Sequence, residues 1–75
     1  MTNPIIKTLY SINIMASQVF NFEEHKVQYW LNRPQKEFNF MTPLDMVFKN
    51  RGQEVLDYLK KRLDDRDKAV YKQLN

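Results

Sequence analysis

Most of the residues that punctuate this chain fall in one stretch. Of three prolines and a single glycine, Pro34, Pro43 and Gly52 all lie between Val27 and Leu59, in VQYWLNRPQKEFNFMTPLDMVFKNRGQEVLDYL, which also holds the only tryptophan, Trp30. A proline inside a helix breaks it, and a glycine marks a left-handed turn or a close approach of two elements. The segments between these breaks are short, and their apolar residues recur at intervals of three and four. The chain is therefore expected to be all-α: a small bundle of about four helices, with a proline-containing aromatic loop between the second and third.

At 75 residues the chain reads as one domain, 1–75, near the lower size at which a hydrophobic core suffices without staples. It has no cysteine, so disulfides and thiolate sites are excluded and stability must come from packing, helped if need be by a partner chain. That composition fits a reducing cytoplasm. No apolar run approaches the roughly 20 residues needed to cross a bilayer, and the N-terminus lacks an export signal, so a soluble cytoplasmic protein with no membrane partner is expected.

In chain order, Asn3 and Pro4 have the chemistry of a cap and first helical turn, and Ile5, Leu9, Ile12, Met15, Ala16 and Val19 follow as one apolar stripe. The β-branched run around Ile12 and Ile14 makes a strand the competing reading for this segment. Asn21, with Glu24 three residues on, forms the pattern of a reciprocal capping box and is expected to start a second helix. That helix places Val27, Trp30 and Leu31 on one face and ends near Asn32, because Pro34 disfavours helical geometry at Arg33. Phe38 and Phe40 then alternate with polar residues, as in an extended loop pressing aromatic rings onto the core. Thr42, Pro43 and Asp45 supply an N-cap, a first helical residue and an early acidic charge, with Leu44, Val47 and Phe48 on the inward face.

Gly52 is expected either to take the left-handed conformation that closes this third helix or to let the next one pack closely. From Gln53, the residues Val55, Leu56, Leu59 and Leu63 make a clean stripe, and Asp57–Lys61 and Asp64–Lys68 are acid-before-base pairs four apart. The expected core is Val27, Trp30, Leu31, Pro43, Leu44, Val47, Gly52, Val55 and Leu59. Beyond Asp64 the stripe fails at Asp67 and resumes with Val70, Tyr71 and Leu74, so this segment, 64–75, either continues the helix with a weak apolar face or frays. Apolar surface of that kind on so small a chain is an expected site of self-association, with a two-fold contact between last helices.

Charge is unevenly spread. Basic and acidic residues cancel up to Leu59, and the whole net charge of +3 arises where Lys60, Lys61, Arg62, Arg66, Lys68 and Lys72 face only Asp64, Asp65 and Asp67. Such a segment can meet an acidic partner or a phosphate backbone, or simply be a solvated helix face laced with opposite charges.

The constellations of an enzyme are missing. His25 is the only histidine and reads as an exposed residue of a first helical turn; Asp64, Asp65 and Asp67 lack the spacing and glycine of a calcium loop; one glycine cannot make a phosphate cradle. No catalytic residue, metal or cofactor is expected. Trp30, Phe38, Phe40 and Phe48 read as core aromatics and not as a base-stacking platform.

Taken together, Trp30–Leu31, Pro34, Phe38, Thr42–Pro43–Leu44–Asp45, Gly52, Val55 and Leu59 resemble, in order and spacing, the C-terminal toxin-binding domain of the MbcA/ParS/Xre antitoxin family. The likeness covers about residues 19–63. The family carries a glycine in the loop ahead of its threonine-proline helix start, where this chain has Asn39 and Phe40. Its members commonly add an N-terminal helix-turn-helix region, for which the residues ahead of Val19 are too few. The resemblance implies a protein that neutralises a RES-type, NAD-degrading toxin by docking on it and occluding its active site. It places the partner-facing role on the last helix and tail, with Lys60, Arg66, Lys68, Val70, Tyr71 and Leu74 as partner-binding residues. The alternatives are a small basic DNA-binding or regulatory protein using the Lys60–Lys72 face on phosphate, and an interaction domain with an unrelated partner.

Overall fold

A computed structural model describes residues 3–73, and side chains as far as Lys68. Four helices follow one another: α1 (Pro4–Val19), α2 (Glu24–Leu31), α3 (Pro43–Phe48) and α4 (Gly52–Gln73), with a single 3-10 turn at Lys36–Phe38 between α2 and α3. No helix among the described residues is long and apolar enough to cross a membrane. The fold is all-α: α1 and α3 pack on α4, and α2 closes the bundle against α1 and α3.

The helix starts follow the chemistry of their caps. Asn3 Oδ1 accepts from the Ile5 amide at 2.9 Å with Pro4 in the first turn, and Thr42 Oγ1 accepts from the Asp45 amide at 3.0 Å with Pro43 behind it. Each satisfies an amide that the helix itself leaves unpaired. The strand alternative for the first segment is excluded, because tertiary burial of Ile12 and Ala16 outweighs the modest β preference of the Ile12–Ile14 run.

The helix ends follow a rule the sequence disguises. Asn21 (φ 55°), Asn39 (φ 54°) and Asn50 (φ 61°) all take the left-handed conformation just beyond a helix or 3-10 turn. The amide that follows each of these asparagines reaches back five positions: Phe22 to the Ser17 carbonyl (2.7 Å), Phe40 to Gln35 (2.9 Å) and Arg51 to Met46 (2.7 Å). This is the closure usually given to glycine, and asparagine is the side chain that tolerates it best after glycine. Asn21 therefore ends α1 and does not cap α2. The capping-box reading with Glu24 fails; α2 starts after Glu23, whose side chain makes no cap and pairs instead with Lys26 at 2.6 Å.

Gly52 does not close α3 either, because Asn50 does. It opens α4 with ordinary helical geometry, and its lack of a side chain serves packing: a Cβ there would lie 2.5 Å from Thr8 Cγ2 of α1. That is closer than methyl groups can approach, so Gly52 sets how tightly the start of α4 seats on α1.

The core comprises Ile12 and Ala16 of α1, Val27, Trp30 and Leu31 of α2, Phe38 of the 3-10 turn, Met46 and Val47 of α3, and Val55 and Leu59 of α4. Pro43 and Gly52 are buried with them, while Leu44 is half-buried and packs against the cluster from outside. The inward face of α3 is thus Pro43, Met46 and Val47, at spacings of three and four. Phe48 sits one position past that face and is 64% exposed, contrary to the expected Leu44–Val47–Phe48 face. The loop of residues 33–41 is a compact turn closed by one antiparallel bridge, Gln35–Met41, instead of an extended aromatic segment. Phe38 enters the core from it. Phe40, held at φ 65°, points outward at 70% exposure.

Candidate functional site

Two regions stand out, an apolar cleft beside Trp30 and the far end of α4. The first begins with an aromatic cluster. Trp30 lies 6.1 Å from Phe20 and 6.3 Å from Phe38 between ring centroids, and it stacks on Tyr58 at 6.1 Å with planes 9° apart; Phe38 meets Tyr58 edge-on at 5.5 Å. Offset and edge-on pairs of this kind add specificity to area burial. Gln35 reaches across from the loop, its Nε2 donating to the Trp30 carbonyl at 3.1 Å, and so closes the end of α2. Outside the cluster, Phe20, His25, Lys26, Tyr29, Trp30 and Gln35 line a shallow, mostly apolar cleft. Tyr29 stands 62% exposed at its rim with the Arg33 guanidinium 4.6 Å over its ring.

The second surface is the far end of α4. The helix buries Val55 and Leu59 and half-buries Leu56, Tyr58 and Leu63; Asp64 to Lys68 are exposed. It continues to Gln73, a total of 22 residues or about 33 Å. The basic residues along it divide into two groups. Arg62 Nη1 donates to Tyr58 Oη at 2.9 Å with its guanidinium over the ring, and Arg66 Nη1 donates to the Gln18 carbonyl at 2.9 Å. Arg66 thereby adds a second donor to a carbonyl in the last turn of α1 that otherwise accepts only a long bond from the Asn21 amide, at 3.4 Å, and a cation there complements the helix dipole.

Arg66, read from the sequence as partner-facing, is thus tied to this chain's own body. Nothing in the sequence announces that bond, since Gln18 lies 48 positions away. Lys60, Lys61 and Lys68 are exposed without an ion pair or hydrogen bond among the described residues. The Asp57–Lys61 and Asp64–Lys68 pairs do not close; Asp57 accepts instead from Gln53 Nε2 at 3.0 Å. Val70 and Tyr71 lie on the α4 backbone, but their side chains, and Leu74 altogether, are outside the described residues.

At the other end of α4 the Arg51 guanidinium holds the Glu54 carboxylate in a two-pronged pair, with distances of 2.7 and 3.1 Å. Those hydrogen bonds keep the Glu54 carboxyl below its ordinary pKa and raise that of Arg51. Both groups face solvent, so the pair tidies the helix start and adds little stability.

His25 is exposed on the cleft rim, and no group of three or more His, Cys, Asp or Glu among the described residues is placed to hold a metal ion. Every buried side-chain polar atom among them has a hydrogen-bond partner. Sequence reasoning missed Met46 and Tyr58. Met46 was legible at three residues after Pro43; Tyr58, three after Val55, was obscured by a hydroxyl that faces outward to Arg62. No family model, curated protein sequence or solved structure matches the chain.

Proposed function

We propose that the chain is a protein-binding module of the antitoxin type, which neutralises a RES-type NAD-degrading enzyme by lodging the far end of α4 at the entrance of that enzyme's active site. The observation that carries the reading is the reach of α4. The helix is seated in the bundle as far as the Arg66–Gln18 bond and then runs on to Gln73, leaving about two turns, roughly 10 Å, to project. A preformed helix end loses little conformational freedom on docking, which favours its use as a plug.

The Asn39–Phe40 turn adds support. Both residues hold positive φ at the place where the resembled family carries a glycine. A non-glycine residue there costs on the order of 1 kcal/mol, and the exposed Phe40 ring takes no part in the core. The blocking role requires no chemistry of this chain.

The test is co-expression with a RES-type enzyme, reading cellular NAD and growth. The full chain is expected to preserve both. A chain ending at Lys68 retains the Arg66 bond and the whole core, so it should stay folded by circular dichroism yet protect poorly. If it protects as well as the full chain, the plug reading fails and the contact belongs on the cleft beside Trp30 and Phe40.

A further inference from the structure

We infer that the outer face of α1 is a self-complementary surface that pairs two copies of this chain antiparallel about a two-fold axis through Tyr10. The inference is independent of the role given to α4. Ile6, Tyr10 and Ile14 stand 60%, 68% and 43% exposed. They lie four residues apart on one line down α1, opposite the face that buries Ile12 and Ala16. None of them belongs to the core cluster among the described residues. Three large apolar side chains in a continuous row are what an unpaired helix avoids, in contrast to apolar residues exposed singly.

What selects a second copy as the occupant is the register of the row. Ile6, Tyr10 and Ile14 read the same from either end, with Tyr10 at the centre. In a two-fold contact the same patch serves both partners, so residue i must meet j while j meets i. An axis through Tyr10 sets Ile6 of each copy against Ile14 of the other and Tyr10 against Tyr10, matching apolar groups throughout. Charge points the same way. Lys7 is the only charged residue on α1. A parallel pair would put the two Lys7 side by side, whereas the antiparallel register separates them by about 9 Å along the axis and sets the helix dipoles head to tail.

The size of the face sets the strength of the contact. A 16-residue helix is about 24 Å long and about 10 Å wide. One such face buries less than the roughly 800 Å² per partner of a standard stable interface, so the dimer forms at micromolar concentration and not below. Its axis lies on α1, leaving the end of α4 in each copy free.

Sedimentation equilibrium of the full chain tests the proposal. At high micromolar concentration the mass should approach twice the 9.1 kDa of one chain, and Tyr10→Glu should return it to a single chain with unchanged helix content. The absence of cysteine gives a second, register-specific measurement. Under mild oxidation Tyr10→Cys should cross-link to itself, and so should a mixture of Ile6→Cys with Ile14→Cys. Ile6→Cys alone should not, because its two copies would lie about 12 Å apart along the axis, beyond the reach of about 7 Å between Cα atoms that a disulfide allows. A single-chain mass at the highest concentration would overturn the proposal, as would efficient cross-linking by Ile6→Cys alone. A dimer that survives Tyr10→Glu and is lost in Tyr71→Glu would move the interface to α4.

Discussion

The two halves of α4 are one unbroken helix held in shape by different forces. From Gly52 to Leu63 the helix is specified from outside: Val55 and Leu59 are buried, Tyr58 stacks on Trp30, and Gly52 meets Thr8 so closely that no side chain fits between. From Asp64 onward the described side chains are exposed, and among the described residues the helix is held by its own backbone bonds and one side-chain tether, Arg66 to the end of α1. Isolated helices of this length are marginal in water, so the outer half borrows its order from the inner half to which it is joined. A segment made this way can stay ordered when free and still present exposed side chains such as Lys68 to a partner. The apolar stripe and the net charge of the chain divide at nearly the same place along this helix.

Substitutions along α4 should therefore grade steeply from the inner half to the tether. The largest effect belongs to Leu59→Ala, which removes a fully buried side chain from the centre of the core. A cost of about 2 to 5 kcal/mol is expected, enough to unfold much of so small a domain; urea unfolding followed by circular dichroism measures it, and a change under about 1 kcal/mol would erase the distinction between the halves.

Next is Gly52→Ala. Glycine to alanine normally favours a helix, but the added methyl meets Thr8 Cγ2, and overpacking of this kind costs about 1 to 3 kcal/mol. Removing the opposing methyl with Thr8→Ser should recover most of the loss in the double variant, since the two positions are directly coupled. Losses that merely add would place the cause elsewhere than at the α1–α4 contact.

Arg66→Ala tests the boundary itself and should cost no more than about 1 kcal/mol, because the bond is exposed and competes with water. Its signature is local: amide exchange should quicken in the last turn of α1 and beyond Arg66 while the core amides around Leu59 stay protected. Uniformly faster exchange would mean that Arg66 belongs to the core and not to its edge.

Much of the architecture was legible in the residues before any coordinates. The stripe on α1, the caps at Asn3 and Thr42 and the inward faces of α2 and the first half of α4 all follow from local chemistry, because capping and helical periodicity act over three or four residues. What misled was also local: Asn21 followed by Glu24 satisfies the pattern of a helix start as well as that of a helix end, and Gly52 satisfies both a closing turn and a close approach. The sequence within a few positions is the same in either case.

By itself, then, the sequence determined an all-α chain of four helices, the positions of their breaks and most of the core, since each depends on intrinsic propensity and on which faces must leave water. Tertiary structure alone decided that three asparagines close the helices while the one glycine seats α4 on α1. It also turned Phe38 inward and Phe40 outward, and took Arg66 out of the exposed basic set by giving it the Gln18 carbonyl. The asparagine closures are local bonds, but the Gly52–Thr8 contact, the packing of Phe38 on Tyr58 and the Arg66–Gln18 bond each depend on a partner many positions away in the chain, and a contact of that kind leaves no periodic trace for a local reading to find.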